Sequence, residues 1–186
     1  MGDHDAVWDV VQARRAVRRF ADRPLAPEHL ERILHAGRRA QSSKNQQRWA
    51  FIVCEDRDHL KELSVVGPWA GHLAGAAVGI ALVSPDPKTA DAPLSVMFDL
   101  GQAADSMMLV AWELGIGSVP ATVYEHDLVQ RLLGYPDGYH CEFLLSFGYP
   151  ADPSDLTRPL KAGGRLPLDD IVHDERLVGP ATASGT

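Results

Sequence analysis

Apolar residues recur along this chain at two spacings, and the change from one to the other predicts its elements. Val7, Val10 and Val11 recur at helical spacing, with Asp5 placed to cap a first helix that runs into Arg14. Arg23-Pro24 forces an extended step, because a proline excludes the preceding residue from the helical region. A second helix opens on Pro27 with Glu28 close behind, and Leu30, Ile33 and Leu34 form its apolar face. The polar stretch Gln41 to Arg48 has no periodicity and leads into Trp49–Cys54, which reads as a buried strand. Residues 57–66 and 69–74 read as helical. Ala77 to Val83 is a second buried strand, closed by Ser84-Pro85-Asp86-Pro87, and loop follows to Pro93. Ser95 to Leu114 carries apolar residues on nearly every face, as a helix buried on several sides does. Asp99, Gln102, Asp105 and Glu113 interrupt it too often for a bilayer core, so it reads as the central core helix, with Gly115 as its left-handed cap. Gly117 to Pro120 is a short strand, Asp127 to Leu133 a helix stopped by Gly134, and Glu142 to Phe147 a third clear strand. Helices and strands mix without strict alternation, which predicts an α+β sandwich rather than a doubly wound sheet.

From Ala151 onward there is little core material. A proline-punctuated arm carries Leu166, Leu168, Ile171 and Val172, and an arm with apolar spots but no core of its own packs on something else, such as a second subunit. The expected organisation is one domain over 5–176, with 151–176 as the arm and 177–186 as a disordered tail.

Composition narrows the class. With 186 residues, 45% hydrophobic and 23% charged, the chain suits a single soluble domain. Its net charge of -7 argues against nucleic acid as the main partner. Cys54 and Cys141 both lie in apolar runs and read as buried thiols in a reducing compartment. Residues 1–5 contain no basic segment followed by an apolar stretch, so no secretory signal is visible and a cytoplasmic protein is expected.

Against this acidic background, Arg14, Arg15, Arg18 and Arg19 crowd into one short stretch. On a helix or helix-ending turn Arg14 and Arg18 share a face, and two guanidinium forks pointing one way can grip a phosphate or a delocalised oxyanion. A solvated surface run paired with nearby carboxylates is the plainer alternative. The amides and hydroxyls of Gln41 to Arg48 suit a heteroaromatic ligand with mixed donor and acceptor edges, although a helix cap and turn would use the same residues. No G-x-S-x-G, H-E-x-x-H, phosphate-binding loop or dinucleotide fingerprint is present, and no two of the histidines stand at metal-ligand spacing. His126-Asp127 reads as a helix start. No metal is expected. A chain that offers basic and amide groups but no obvious nucleophile or metal cluster fits one that takes its reactive atoms from an organic cofactor.

Arg14-Arg15-Ala16-Val17-Arg18-Arg19-Phe20 followed by Gln41-Ser42-Ser43-Lys44-Asn45-Gln46-Gln47-Arg48-Trp49 resembles the nitroreductase family of FMN-dependent oxidoreductases. Asp99-Leu100-Gly101-Gln102, Glu113-Leu114-Gly115-Ile116-Gly117, Gly148-Tyr149-Pro150 and Arg165-Leu166-Pro167-Leu168 continue the match in order, over roughly residues 8 to 176. The resemblance implies a mixed, mainly antiparallel sheet flanked by helices in an intertwined homodimer, with FMN at the subunit interface and NAD(P)H as donor. It implies that Arg14 and Arg165 hold the FMN phosphate, with Arg15 and Ala16 nearby, and that Arg18 meets the N1/O2 edge of the ring as the catalytic residue. Ser42, Ser43, Asn45 and Gln47 would reach the flavin from the other subunit, while Pro120, Ala121 and Thr122 pass near N5. A ping-pong transfer to nitroaromatic, quinone or similar electrophiles would follow. A metabolite dehydrogenase or dehalogenase on the same fold, a flavin-storage protein and an acidic adaptor stay open as alternatives. This chain departs from the family pattern at Ala16, where serine is usual, at Gln41 and Arg48, where prolines are common, and at Gly163, where many members place a second basic residue that Lys161 could replace.

Overall fold

The computed structural model describes residues 6–89, 94–159 and 164–177. The Asp5 cap, the end of the loop at Pro93, Lys161, Gly163 and the tail beyond Leu177 lie outside them.

The helices are α1 (Ala6–Ala13), α2 (Pro27–Arg38), α3 (Arg57–Leu63), α4 (Ser95–Glu113) and α5 (His126–Leu133). The strands are β1 (Ala50–Cys54), β2 (Val78–Pro85), β3 (Gly117–Thr122) and β4 (Tyr139–Gly148). They form one sheet in the order β1-β2-β4-β3, antiparallel throughout. This is the α+β arrangement that the mixed order of elements predicts.

Alternation along β2 and β4 sends side chains to two cores. On one face Val78, Ile80, Leu82, Leu145 and Phe147 pack with Ile33 of α2 and Leu100 and Met107 of α4. On the other, Ala81, Val83 and Leu144 pack with Leu60 and Leu63 of α3, with Val129 of α5 and with Leu73 of the turn at Ala70–Gly75. Cys54 and Cys141 are buried in this second core, and burial pushes their thiols up to about 11 and about 12, as expected for packing residues rather than nucleophiles. Gly115 and Gly134 take left-handed backbone just after α4 and at the end of α5, as the sequence predicts.

Two expectations change. Trp49–Cys54 is not a buried strand: β1 lies at the sheet edge with Ala50 and Val53 exposed, because an apolar run reads alike in a central strand and in an edge strand covered on one side. Within one chain α4 is buried along a single broad face through Val96, Leu100, Ala103, Met107 and Ala111, and Phe98 is left 72% exposed. No residue of α1 is buried. The apolar sides of α1 and α4 instead line a groove of about 470 Å³ through Val7, Val10, Leu109 and Val110. Among the described residues no helix is long and apolar enough to cross a membrane.

Candidate active site

Arg14 sits on the turn that ends α1, its N–H donating to the Val10 carbonyl at 2.9 Å. The Arg15 guanidinium folds back and donates to the carbonyls of Gln12, Ala13 and Arg14 at 2.5, 2.6 and 2.9 Å. It thereby satisfies acceptors that a helix end leaves without partners. From Ala16 the chain is extended. Ala16 bridges Ser118 in parallel, Val17 N–H donates to the Ser118 carbonyl at 3.1 Å, and Phe20 bridges Pro150.

Arg14 and Arg18 therefore do not share a helical face, which corrects the helical reading. The reason lies between them: Val17 is fully buried, and burying a valine contributes about 1.5–3 kcal/mol. Gly117 admits this approach, since a Cβ placed there would lie 2.5 Å from the Val17 Cβ. With Val17 turned inward, extended geometry turns Arg18 outward.

The two arginines line different cavities. Arg14 and Arg15 share one of about 690 Å³ with Trp8, Gln12 and Arg165, so the far end of the chain returns to the first helix. Arg15 Nε also donates to the Arg158 carbonyl at 3.3 Å, tacking down the start of the arm. Arg14 pairs with Asp105 of α4 at 2.9 Å. Arg18 lines a second cavity of about 430 Å³ with Pro68, Trp69, His72 and Pro120. Pro120 is tolerated because β3 is an edge strand, and it also lines a third cavity of about 250 Å³ that includes Asp105, Gly101 and Met108. Pro120 is thus common to the Arg18 cavity and the third one, and Asp105 of the third cavity is the residue that pairs with Arg14. Ala121 is buried in the second core and Thr122 is half-buried, so Pro120 is the member of that trio that faces open space.

Ser42, Ser43, Asn45 and Gln47 lie elsewhere, and none lines the cavities of Arg14, Arg15 and Arg18. Their loop is firmly built. Ser43 N–H donates to the buried Asp99 carboxylate of α4 at 2.9 Å, and Ser42 Oγ accepts from Gln47 N–H at 3.0 Å. The Gln47 amide donates to Asn45 Oδ1 at 3.2 Å. Lys44, Asn45 and Gln47 hold φ of 53°, 54° and 50°, a left-handed backbone that costs about 1–2 kcal/mol per ordinary residue and less for asparagine. Strain of this kind persists only where neighbours hold it, and it concentrates at functional loops.

His72, Trp69 and Ser118 were not singled out in the sequence. His72 Nδ1 lies 2.8 Å from the buried Ser146 Oγ. Burial holds the His72 pKa below its ordinary value of 6.5, the Arg18 charge pushes it down further, and the Pro120 backbone pulls the other way. Its imidazole is therefore neutral at neutral pH. Trp69, 77% exposed, forms the rim of the same cavity. Ser118 Oγ is buried without a hydrogen-bond partner among the described residues, on the face of β3 that Pro120 shares. The only sequence signal for the first two was an aromatic and a histidine on a glycine-flanked turn, Pro68-Trp69-Ala70-Gly71-His72.

The nitroreductase family model matches residues 11–66 and 66–149. An Archaeoglobus fulgidus protein, provisionally named NADH dehydrogenase/NAD(P)H nitroreductase, is 35% identical over 172 residues, which span 90% of this chain and 96% of that one. An FMN-dependent nitroreductase from Clostridium difficile superposes with a TM-score of 0.74 at 25% identity, over 91% of this chain and 99% of that one. Nitroreductase A from Vibrio parahaemolyticus shares the fold with a TM-score of 0.83 at 23% identity, over 94% of this chain and 78% of that one. The order of motifs, the antiparallel sheet with its long helix and these likenesses agree: this chain belongs to the nitroreductase family.

Proposed function

We propose that this protein is an FMN-dependent NAD(P)H oxidoreductase, working as a homodimer and reducing nitroaromatic, quinone or similar electrophilic acceptors. The observation that carries the reading is the separation of its arginines. Arg14, Arg15 and Arg165 gather in one cavity, and Arg18 lines another beside Pro120 and Trp69. A phosphate needs clustered donors at one end of its ligand, and a flat ring needs a single charge and an apolar wall at the other.

The residues fit the cofactor. Arg14 and Arg165 would hold the phosphate, the former oriented by Asp105, with Arg15 lining the same cavity and Ala16 next to it in the chain. The orphaned Ser118 hydroxyl beside Ala16 offers a polar group where Ala16 lacks one. Pro120, Ala121 and Thr122 would supply edge-strand backbone to the ring. Bound there, FMN would supply the two-electron redox chemistry that links NAD(P)H to the acceptor. Arg18 would present a positive charge to the ring, at the N1/O2 edge that the family resemblance implies, where it would favour the reduced anion. Neutral His72 adds no competing charge beside it.

Dimerisation supplies what one chain lacks. Exposed Trp8 and Phe98, the groove between α1 and α4, and the arm's exposed Leu166, Leu168, Ile171 and Val172 are the apolar surface a second copy would cover. Ser42, Ser43, Asn45 and Gln47, held on α4 by Asp99, would enter the partner's site from there. The domain is then 5–176, with 151–176 embracing the other subunit, and the enzyme is cytoplasmic.

Anaerobic titration tests the proposal. NADH or NADPH should bleach the yellow flavin, and menadione or a nitroaromatic should restore it. A flavin-loaded protein that neither nucleotide bleaches would remove the oxidoreductase reading and leave flavin storage.

A further inference from the structure

We propose that His126, His140 and Glu142 form a binding site for a divalent first-row transition-metal ion, at the junction of α5 and β4. The three side chains offer one ligand atom each, all within 4.8 Å of one another. His140 Nε2 lies 2.8 Å from Glu142 Oε2, His126 Nε2 lies 3.8 Å from the same oxygen, and the two imidazole rings are 4.8 Å apart at their centroids. A zinc ion with bonds of about 2.0–2.1 Å holds tetrahedral ligand atoms roughly 3.3 Å apart, so the contacts to Glu142 bracket that value and the widest pair must draw in by up to about 1.5 Å.

The backbone explains why these residues meet. β4 pairs with β2 through Phe143↔Leu82 and then Cys141↔Val83, which leaves Glu142 as an extra residue in a bulge. A bulge re-aims the side chain it carries. The Glu142 carbonyl accepts from Val123 N–H at 2.9 Å, which brings the segment before α5, and with it His126, alongside. His126 Nδ1 is buried and has no hydrogen-bond partner among the described residues. A buried polar atom of this kind is costly without a partner. The His126 nitrogen that faces Glu142 is Nε2, which makes it the candidate ligand atom and leaves Nδ1 as the ring's other, unanchored nitrogen.

Two nitrogens and one carboxylate oxygen suit zinc and its neighbours rather than magnesium or calcium, which take oxygen sets. Three protein ligands leave a further position for water. The ion would join α5 directly to β4, with His126 four residues beyond the end of β3. It would thus brace the strand that carries Pro120 without touching Arg14, Arg18 or Arg165.

The test uses the purified, flavin-loaded protein, freed of metal by chelator and then titrated with Zn2+ by calorimetry, with bound zinc counted by mass spectrometry after desalting. One Zn2+ per chain is expected, with a rise in melting temperature. His126→Ala and Glu142→Gln should each weaken binding roughly ten-fold or more, since even the loss of an outer-shell partner has an effect of that size. His35→Ala, which removes an exposed pair with Glu31 at 3.6 Å on α2, should bind as the parent does. Melting in chelator establishes that each variant is folded. Absence of zinc from the parent, or equal binding by the parent, His126→Ala and Glu142→Gln, would overturn the assignment.

Discussion

Replacing Arg14 by alanine removes one of the two guanidiniums assigned to the FMN phosphate and leaves Asp105 behind without its partner. A charge-assisted hydrogen bond contributes about 1.5–3 kcal/mol. The Arg14 side chain is 32% exposed, and solvent screening places its share near the lower end. The uncompensated Asp105 carboxylate adds repulsion toward a dianionic phosphate, about 0.5 kcal/mol for a half-exposed group. The sum of about 2 kcal/mol corresponds to roughly thirty-fold weaker binding. Titrating apoprotein with FMN and following the quenching of flavin fluorescence measures that change. Riboflavin, which has the ring and ribityl chain but no phosphate, supplies the internal reference. Its affinity should not change in Arg14→Ala, and Arg14→Ala/Asp105→Ala should recover part of the FMN loss. Equal losses for FMN and riboflavin, or wild-type FMN affinity, would refute the phosphate role.

Arg18→Gln should lower the two-electron potential of the bound flavin by about 15–30 mV, measured against a reference dye, because about 1.4 kcal/mol is equivalent to 30 mV and this arginine is exposed. An unchanged or raised potential would count against its placement at the ring. Gly117→Ala should destabilise the fold by about 1–3 kcal/mol in urea, since the new methyl collides with Val17, whereas Gly71→Ala meets nothing within 4 Å and should be neutral. His72 binds fewer protons folded than unfolded, so its contribution to stability is full above pH 6.5 and lost as pH falls through its lower folded value. His72→Gln should flatten that part of the acid slope when urea unfolding is compared at about pH 7.5 and about pH 5.5.

Much of the fold was legible in the sequence because local pattern and tertiary burial agree over long stretches. Pro27 opening a helix, the continuous apolar run of β2, and Gly115 and Gly134 as helix stops are local chemistry, and all appear as predicted. The family followed from motifs in sequence order, which the fold then brings together. What was illegible depends on contacts between distant residues. Nothing local distinguishes edge strand β1 from a central one, since a strand's rank is set by its neighbours in space. The arginine stretch could be helical or extended on spacing alone, and the deciding contact, Val17 against Gly117, spans the chain. His72 reaches Ser146 across a similar distance, and His126, His140 and Glu142 meet only because β4 bulges and Val123 bonds to it. The loop from Ser42 to Gln47 was singled out for its amides, while the buried Asp99 that fixes it lies on another element.

In the proposed enzyme the arginines of one chain and the Ser42–Gln47 loop of another would hold FMN between them. Native mass spectrometry of the purified protein tests it directly. Two chains carrying two FMN are expected, with the flavin lost when the dimer is driven apart. A monomer that retains FMN, or a stable dimer that takes up none when FMN is added, would contradict it.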